Sequence, residues 1–462
     1  MTQQVREMTS EEREAELAER AKTLTALALD AGADEAEVYA RHSQSTEVNF
    51  EKGELKLTTI EEGAAVGLRV FKERRLGFAS TNQVESASLA EAARDAAALA
   101  ALSPPDEANL LPGEHGDRTE LPLGQSDLGS LDVARVVELG QELVARTTSV
   151  DPRISLGEAK VSLGQGSAAI HSSAGADATE SDMALSFSLF GMAVDGDDVG
   201  GFDYWGATAR SIEQIEPAMV ESIQRFSAAA LGNLGAGAAE SYEGPVLFSP
   251  AAFQSVFLSP LISAVSARAV QRGRSPLADK RGEAVATAAF SLLDNPHDTS
   301  LNGATSFDRE GVSTSPFPIV TDGVLQGFLY DGHAAHVEGV RSTGHAVGGA
   351  AAVPSIGTHG ITVSGGSGGA PEAMMQRLDR GLLVQRFSGS VDPASGDFSG
   401  VAKSARWIEG GLEARPVRET LFAGNVFQLF HRIIDLSDSP ESVMGGSRVP
   451  WALIDGLSVT AG

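Results

Sequence analysis

Met183-Ala184-Leu185-Ser186-Phe187-Ser188-Leu189 alternates large apolar residues with small ones. That is the period-two signature of a long strand with one face buried. Working upstream, the pattern predicts strands at Ala159–Leu163 and Ser167–His171, joined to it through a turn at Ser172-Ser173-Ala174-Gly175. Before them, Val133, Val136, Val137 and Leu143 fall on one side of an amphipathic helix predicted from Asp132 to Arg146. Downstream, Phe202-Asp203-Tyr204-Trp205 suggests another strand, and a helix from about Ile212 to Leu231 closes the unit.

The same order occurs earlier in the chain. Thr9-Ser10-Glu11-Glu12 has the form of a capping box. Leu17, Ala21, Leu24, Ala28 and Ala31 follow at helical spacing, with Gly32 placed to end the helix. Val38 opens one predicted strand and Val48 and Phe50 mark another, with a turn at Glu51-Lys52-Gly53. Leu55 and Leu57 alternate with polar residues, as do Val66, Leu68 and Val70, and Leu76 to Ala79 suggests a further short strand. An alanine-rich helix from Ser86 to Ala101 completes this unit. From about Leu102 to Ser130 the chain is rich in Pro, Gly and acidic residues, which marks a boundary.

The third part follows a Gly/Ala stretch, Gly232 to Ala239. Val246-Leu247-Phe248 reads as a strand and Ala251 to Val270 as one helix; Val324–Tyr330, Gly360–Val363, Leu382–Phe387 and Leu453–Val459 read as strands. The expected fold class is α+β: two repeated helix–antiparallel sheet–helix units followed by a mostly β carboxy-terminal domain. The expected boundaries are a first domain over 1–104, a linker over 105–130, a second domain over 131–235 and the β-rich domain over 242–462.

Composition narrows function. Of 462 residues, 42% are hydrophobic and 21% charged, ordinary for a globular chain, and the length suggests two to four domains. A formal net charge of −27 disfavours contact with a phosphate backbone, and no basic patch or helix-turn-helix is evident, so no nucleic-acid partner is expected. The absence of cysteine excludes disulfides, thiolate metal ligands and cysteine nucleophiles. Met1-Thr2-Gln3-Gln4 opens no basic-then-apolar leader, and no apolar run is long enough to span a bilayer. The expectation is a cytoplasmic chain with no membrane contact.

Several blocks of the third part together resemble the TldD/PmbA family, long labelled modulators of DNA gyrase. They are Ser306-Phe307-Asp308-Arg309-Glu310-Gly311-Val312, then Asp322 to Asp331, Arg341-Ser342-Thr343-Gly344-His345, Asp392 to Gly400, Ala423-Gly424-Asn425 and Ile454 to Val459. In the amino-terminal half, His171-Ser172-Ser173-Ala174-Gly175 resembles the family's Asn-Ser-x-Gly turn, with His in place of Asn. The resemblance implies one of two branches. TldD-type chains carry His-Glu-x-x-x-His early in the third domain, with a later cysteine implied as a further ligand. Such ligands hold zinc, which lowers the pKa of bound water to ~7 while the Glu takes its proton. The PmbA or TldE branch lacks the motif. In this chain the matching stretch is Phe257 to Val270, which places Pro260 at the first His, Leu261 at the Glu and Val265 at the second His. Arg274 to Gly282 also resembles the PmbA branch.

Rival chemistries are thinner. His333-Ala334-Ala335-His336 sets two imidazoles on one helical face, but two His alone leave a zinc site short of ligands. Asp195-Gly196-Asp197-Asp198 clusters carboxylates without the ladder of a calcium loop. Asp308 and Glu310 could act as acid and base, yet the block reads as structural, with Glu310 and Gly311 shaping a turn. Ser364 to Gly369 lacks the Gly-Lys-Ser/Thr of a phosphate cradle and reads as a flexible surface loop. No Gly-x-Ser-x-Gly stands in a strand–turn–helix context.

The expected function is therefore a non-catalytic TldE-like subunit of a zinc peptidase complex acting on peptides or unfolded proteins. It would hold no cofactor itself, pair with a TldD-type subunit that supplies zinc, and help bind extended peptide. The alternatives are an autonomous homodimeric peptide-binding scaffold, and a hydrolase using His333 and His336.

Overall fold

In a computed structural model of the chain, which describes residues 9–113, 115–418 and 420–461, the amino-terminal strands are far longer than the alternation suggests. The chain start at Met1-Thr2-Gln3-Gln4 lies outside the described residues. The two strands expected around Val38 and Val48 are one, β1 (Glu35–Glu51), and Leu55 to Val70 lies in a single β2 (Glu54–Lys72). Likewise the pair expected over 159–171 is one β4 (Ile154–Ser172), hydrogen-bonded to β5 (Asp177–Asp195). Apolar alternation lapses in the middle of β1, β2 and β4, as at Ser43-Gln44-Ser45 of β1, where no residue is buried. A ladder continues through such a stretch because backbone groups carry it, but a hydrophobic pattern cannot reveal it.

The order is α1 (Ser10–Asp30), β1, β2, β3 (Arg75–Thr81), α2 (Ser86–Leu102), then α3 (Val133–Val150), β4, β5, the strand Asp203–Ala209 and α4 (Ile212–Gly232). The helix–sheet–helix pattern thus occurs twice. The Thr9 hydroxyl accepts from Glu12 N and the Glu12 carboxylate accepts from Thr9 N, closing the capping box. Lys52 and Gly53, at φ 52° and 84°, make the β1–β2 turn where Glu51-Lys52-Gly53 placed it. Both units share one seven-stranded sheet, because β1 pairs with β4 from Glu37–Ser172 to Glu51–Glu158. Each keeps its own core: Leu17, Leu24, Leu68 and Ala96 in the first, Phe50, Leu143, Phe187 and Phe226 in the second.

In the third part a ten-stranded sheet and a six-stranded sheet enclose a core containing Phe248, Phe253, Phe257, Phe290, Phe422 and Phe430. The single helix expected over Ala251–Val270 is broken. Pro250–Phe253 runs into a π turn, Gln254–Leu258, then Ser259–Ala264 and Ala267–Gln271. Pro260 explains the π turn. It has no N–H and its ring crowds the carbonyl four residues back, so the helix widens and Ser259 N bonds to Gln254 O instead. At Ser266 the backbone turns extended and Ala267 N donates to Leu329 O at 2.9 Å, which ends the helix. The strand expected over Val324–Tyr330 is only Val324–Leu325. Ser364 to Gly369 is not a loose loop: Gly366 and Gly368 donate to Ser437 and Leu436, and a Cβ on Gly365 would lie 2.1 Å from the Asp438 carbonyl. Glycine is there because the backbones touch.

The halves meet through buried charges. Arg69 Nη2 donates to Glu37 at 2.6 Å and its Nη1 to Glu310 at 2.8 Å, while Arg309 Nη1 donates to Glu37 at 3.1 Å. Arg309 also lies over the Tyr39 ring, 4.3 Å from its centroid. Burial alone would push the Glu310 carboxyl up, but Arg69 beside it and the Gly332 N–H hold it below its ordinary value. Asp308 goes the other way: burial and repulsion by Glu310 raise it well above its ordinary value, against three backbone N–H donors. Both carboxylates are thus buried and hydrogen-bonded within the seam.

Glu310→Ala strands Arg69 without its second partner and should cost about 3–5 kcal/mol in chemical denaturation. The depressed Glu310 contributes stability that is whole above its unfolded value of about 4.5 and is lost as pH falls through its folded value. Asp308 has the opposite sign, losing its contribution as pH rises. Glu310→Gln should therefore flatten the acid limb of the stability profile; an unchanged limb would show that Glu310 is not held ionised.

Candidate functional site

The broken helix has two unlike faces. Val256, Phe257, Leu258, Pro260, Leu261, Ala264 and Val265 are buried, whereas Ser255, Ser259 and Ser263 are exposed and Ile262 and Ser266 half-buried. Two cavities flank the exposed stripe, of ≈ 730 Å³ and ≈ 470 Å³, and both count Ser259 in their walls. A third, ≈ 840 Å³, shares Tyr204, Asn233, Arg386 and Ser404 with the larger of these. The first and third make one groove, and the ≈ 470 Å³ pocket adjoins it at Ser259.

Both halves of the molecule build its walls. One wall includes the start of the strand Asp203–Ala209, paired only with β5; the other includes the strand Arg386–Val391, paired only with Asp397–Lys403. Each therefore presents one edge without a described strand partner. Arg386 ties the walls together. Its Nη2 donates to Phe202 O at 2.6 Å, its Nε lies 3.0 Å from Asp203, and its guanidinium sits 4.7 Å from the Tyr204 ring centroid. Asp203 is buried and accepts from Ser404 Oγ and Tyr204 N. Elsewhere in the groove wall, Arg225 pairs with Glu441 at 2.6 Å over the Trp205 ring, and Trp451 Nε1 donates to the same carboxylate at 2.7 Å. Paired charges, aromatic faces and open strand edges suit an extended chain with polar backbone and mixed side chains.

Pro260, Leu261 and Val265, matched above to the zinc motif, lie on the buried face and line neither cavity. None has a side-chain donor atom for a metal, so a zinc ion does not fit there. His333 and His336 lie on the helix Gly332–Glu338. His333 Nε2 is 3.0 Å from Asp106, whereas His336 lines a separate hollow of ≈ 290 Å³ with Pro112 and Arg341. Among the described residues, no three His, Asp or Glu side chains are grouped to hold a metal ion. In the acidic turn, Asp195 faces Arg153 and Asp198 accepts from Gly235 N.

Sequence reasoning missed a buried relay. Asp294 lies 3.2 Å from His345 Nε2, and His345 Nδ1 lies 2.8 Å from the Thr343 hydroxyl. Burial raises the Asp294 carboxyl, yet His345, His359 and the Gly360 N–H bring it below its ordinary value. The arrangement is that of an acid–imidazole–hydroxyl triad. Thr343 Oγ1, however, is spent on Tyr330, accepting from its N and donating to its O, and His345 is 1% exposed. No substrate reaches it. The groove residues Asp203, Arg225 and Arg386 were also missed, since they are distant in sequence. The serine spacing at 255, 259, 263 and 266, opposite an apolar face, was the available signal.

No helix among the described residues is long and apolar enough to cross a membrane. Residues 241–461 match the PmbA/TldA metallopeptidase C-terminal domain, and residues 36–100 match PmbA/TldA metallopeptidase domain 1. The chain is 26% identical to a metalloprotease PmbA homolog of Haemophilus influenzae, over 93% of this chain and 92% of that one. It is 25% identical to metalloprotease PmbA of Escherichia coli, over 90% and 91%. TldE of Thermococcus kodakarensis shares its fold at a TM-score of 0.85 and 24% identity, covering 96% of this chain and all of that one. With two domains of one family matched over more than half its length, this chain belongs to the TldD/PmbA family.

Proposed function

We propose that this chain is the non-catalytic subunit of a TldD/TldE-type zinc metallopeptidase, and that its groove holds extended peptide for a partner that carries the zinc. The observation behind this reading is the helix at 250–271. It keeps an open polar face on the groove, while Pro260, Leu261 and Val265 place no metal donor at the positions matched to the zinc motif. The absence of cysteine from the chain supports it further. Peptide would add as a strand to the edge of Arg386–Val391 or Asp203–Ala209, where backbone hydrogen bonds bind without strict choice of side chain. The metalloprotease names of the relatives supply the reaction class, hydrolysis of peptide bonds.

Purified alone, the chain should contain no stoichiometric zinc by elemental analysis and hydrolyse no peptide; co-expressed with a TldD-type chain, it should co-purify with it. One tightly held zinc per chain would defeat the proposal. Peptide hydrolysis by the lone chain that His336→Ala abolishes would transfer the chemistry to His333 and His336. If strand addition holds the peptide, methylating two of its backbone nitrogens should weaken binding about tenfold, by ~0.5–1.5 kcal/mol per lost hydrogen bond. Equal binding of the methylated peptide would sink the strand-addition reading.

A further inference from the structure

The ≈ 470 Å³ cavity differs from the rest of this acidic molecule. Its walls carry Arg268, Arg272 and Arg274 with Ser259, Ser263 and Ser266, and no Asp or Glu. In a chain with 62 acidic and 35 basic residues, a concave surface of one positive sign is a local reversal of field. Arg268 is answered by Asp331, whose carboxyl burial and Glu310 raise despite that guanidinium. Arg272 and Arg274 meet no acidic side chain among the described residues. Asp392, next to Pro393 in sequence, accepts from Ala394 N and Ser395 N. Ile356, Pro393 and Ala394 complete the wall with apolar surface.

We infer that this pocket receives the free α-carboxylate of the peptide lying in the groove. The inference rests on the peptide-binding reading above and adds polarity to it. Ser259 stands in the walls of both the groove and the pocket, so the two adjoin and the end of a chain lying along the serine stripe is within reach of the arginines. Guanidinium groups match a carboxylate by paired N–H donors, the serine hydroxyls can supply further donors, and the apolar wall accepts the last side chain. A phosphate presents the same oxyanion chemistry, and the experiment separates the two.

Binding of an amino-terminally labelled five-residue peptide is measured by fluorescence anisotropy at fixed ionic strength. The full chain is compared with the Arg272→Ala/Arg274→Ala double variant, whose changed residues are exposed and outside the core. Three probes are used: the peptide with a free carboxylate, the same peptide as its amide, and inorganic phosphate as competitor. The free acid is expected to bind about tenfold or more tightly than the amide to the unaltered chain. In the double variant the two should bind alike. The amide alone reports on the groove. If it binds and the acid gains nothing, the pocket proposal is overturned while the groove reading stands. If neither peptide binds, both fall. An acid preference that survives the double variant places the carboxylate elsewhere, and phosphate binding to the arginines without any acid preference reassigns the pocket to phosphate; each overturns the proposal.

Discussion

The fold depends on the guanidinium of Arg69 lying between two carboxylates from different parts of the chain. Glu37 and Arg69 are direct partners in the β1–β2 ladder, so the register of the first hairpin decides whether they face each other. A slip of one residue would turn Arg69 to the opposite face and leave the acids buried without it. Glu310 reaches the pair from the third part, and Arg309 returns to Glu37. Two acids and two bases thus balance in a site where each alone would be expensive to desolvate. Such a cluster adds little net stability against an apolar alternative. What it supplies is selectivity, because a different docking of the halves would bury these charges away from their partners. Gly67, in the same hairpin, lets the Ala350 backbone approach to where a Cβ would stand 2.1 Å from its carbonyl, so the docking is also a matter of shape.

That docking creates the groove. The strand at Asp203 belongs to the amino-terminal sheet and the strand at Arg386 to the ten-stranded sheet. Neither half alone encloses a cavity between them. Arg386 on one wall holds Asp203 and Phe202 O on the other, and the buried Asp203 in turn needs that cation. The buried quartet and the Arg386 contact close the same seam at separate points.

Local patterning was legible wherever a face is consistently apolar. The capping box at Thr9, the turn at Lys52-Gly53, the helix pairs and the repeated order all follow from residues close in sequence. What was illegible has physical causes. Long strands were divided because their central residues are half-exposed and carry no alternation. The helix over 251–270 was read as continuous because one proline is compatible with a helix once a π turn takes up the missing bond. The Gly/Ser run looked mobile, because nothing local records that Leu436 to Asp438 lies against it. The site suffered most. Its walls join residues near 203, 225, 255, 386, 404 and 441, and only the middle segment showed a readable pattern, the serine stripe.

The helix at 250–271 keeps its packing and its open face apart. Leu261 and Val265 belong to a core containing Phe257, Phe290 and Phe430, and Pro260 is buried beside them in the helix. Imidazoles or a carboxylate left there without a metal would be buried polar groups with no partner, each costing ~1–3 kcal/mol or more. Apolar replacements remove that cost and fill the volume, while the outward face at Ser255, Ser259 and Ser263 stays small and polar. The two faces are constrained separately, since one is set by packing and the other by what occupies the groove. A substitution on the buried face is therefore felt as packing, and one at Ser255 or Ser259 is felt in the groove.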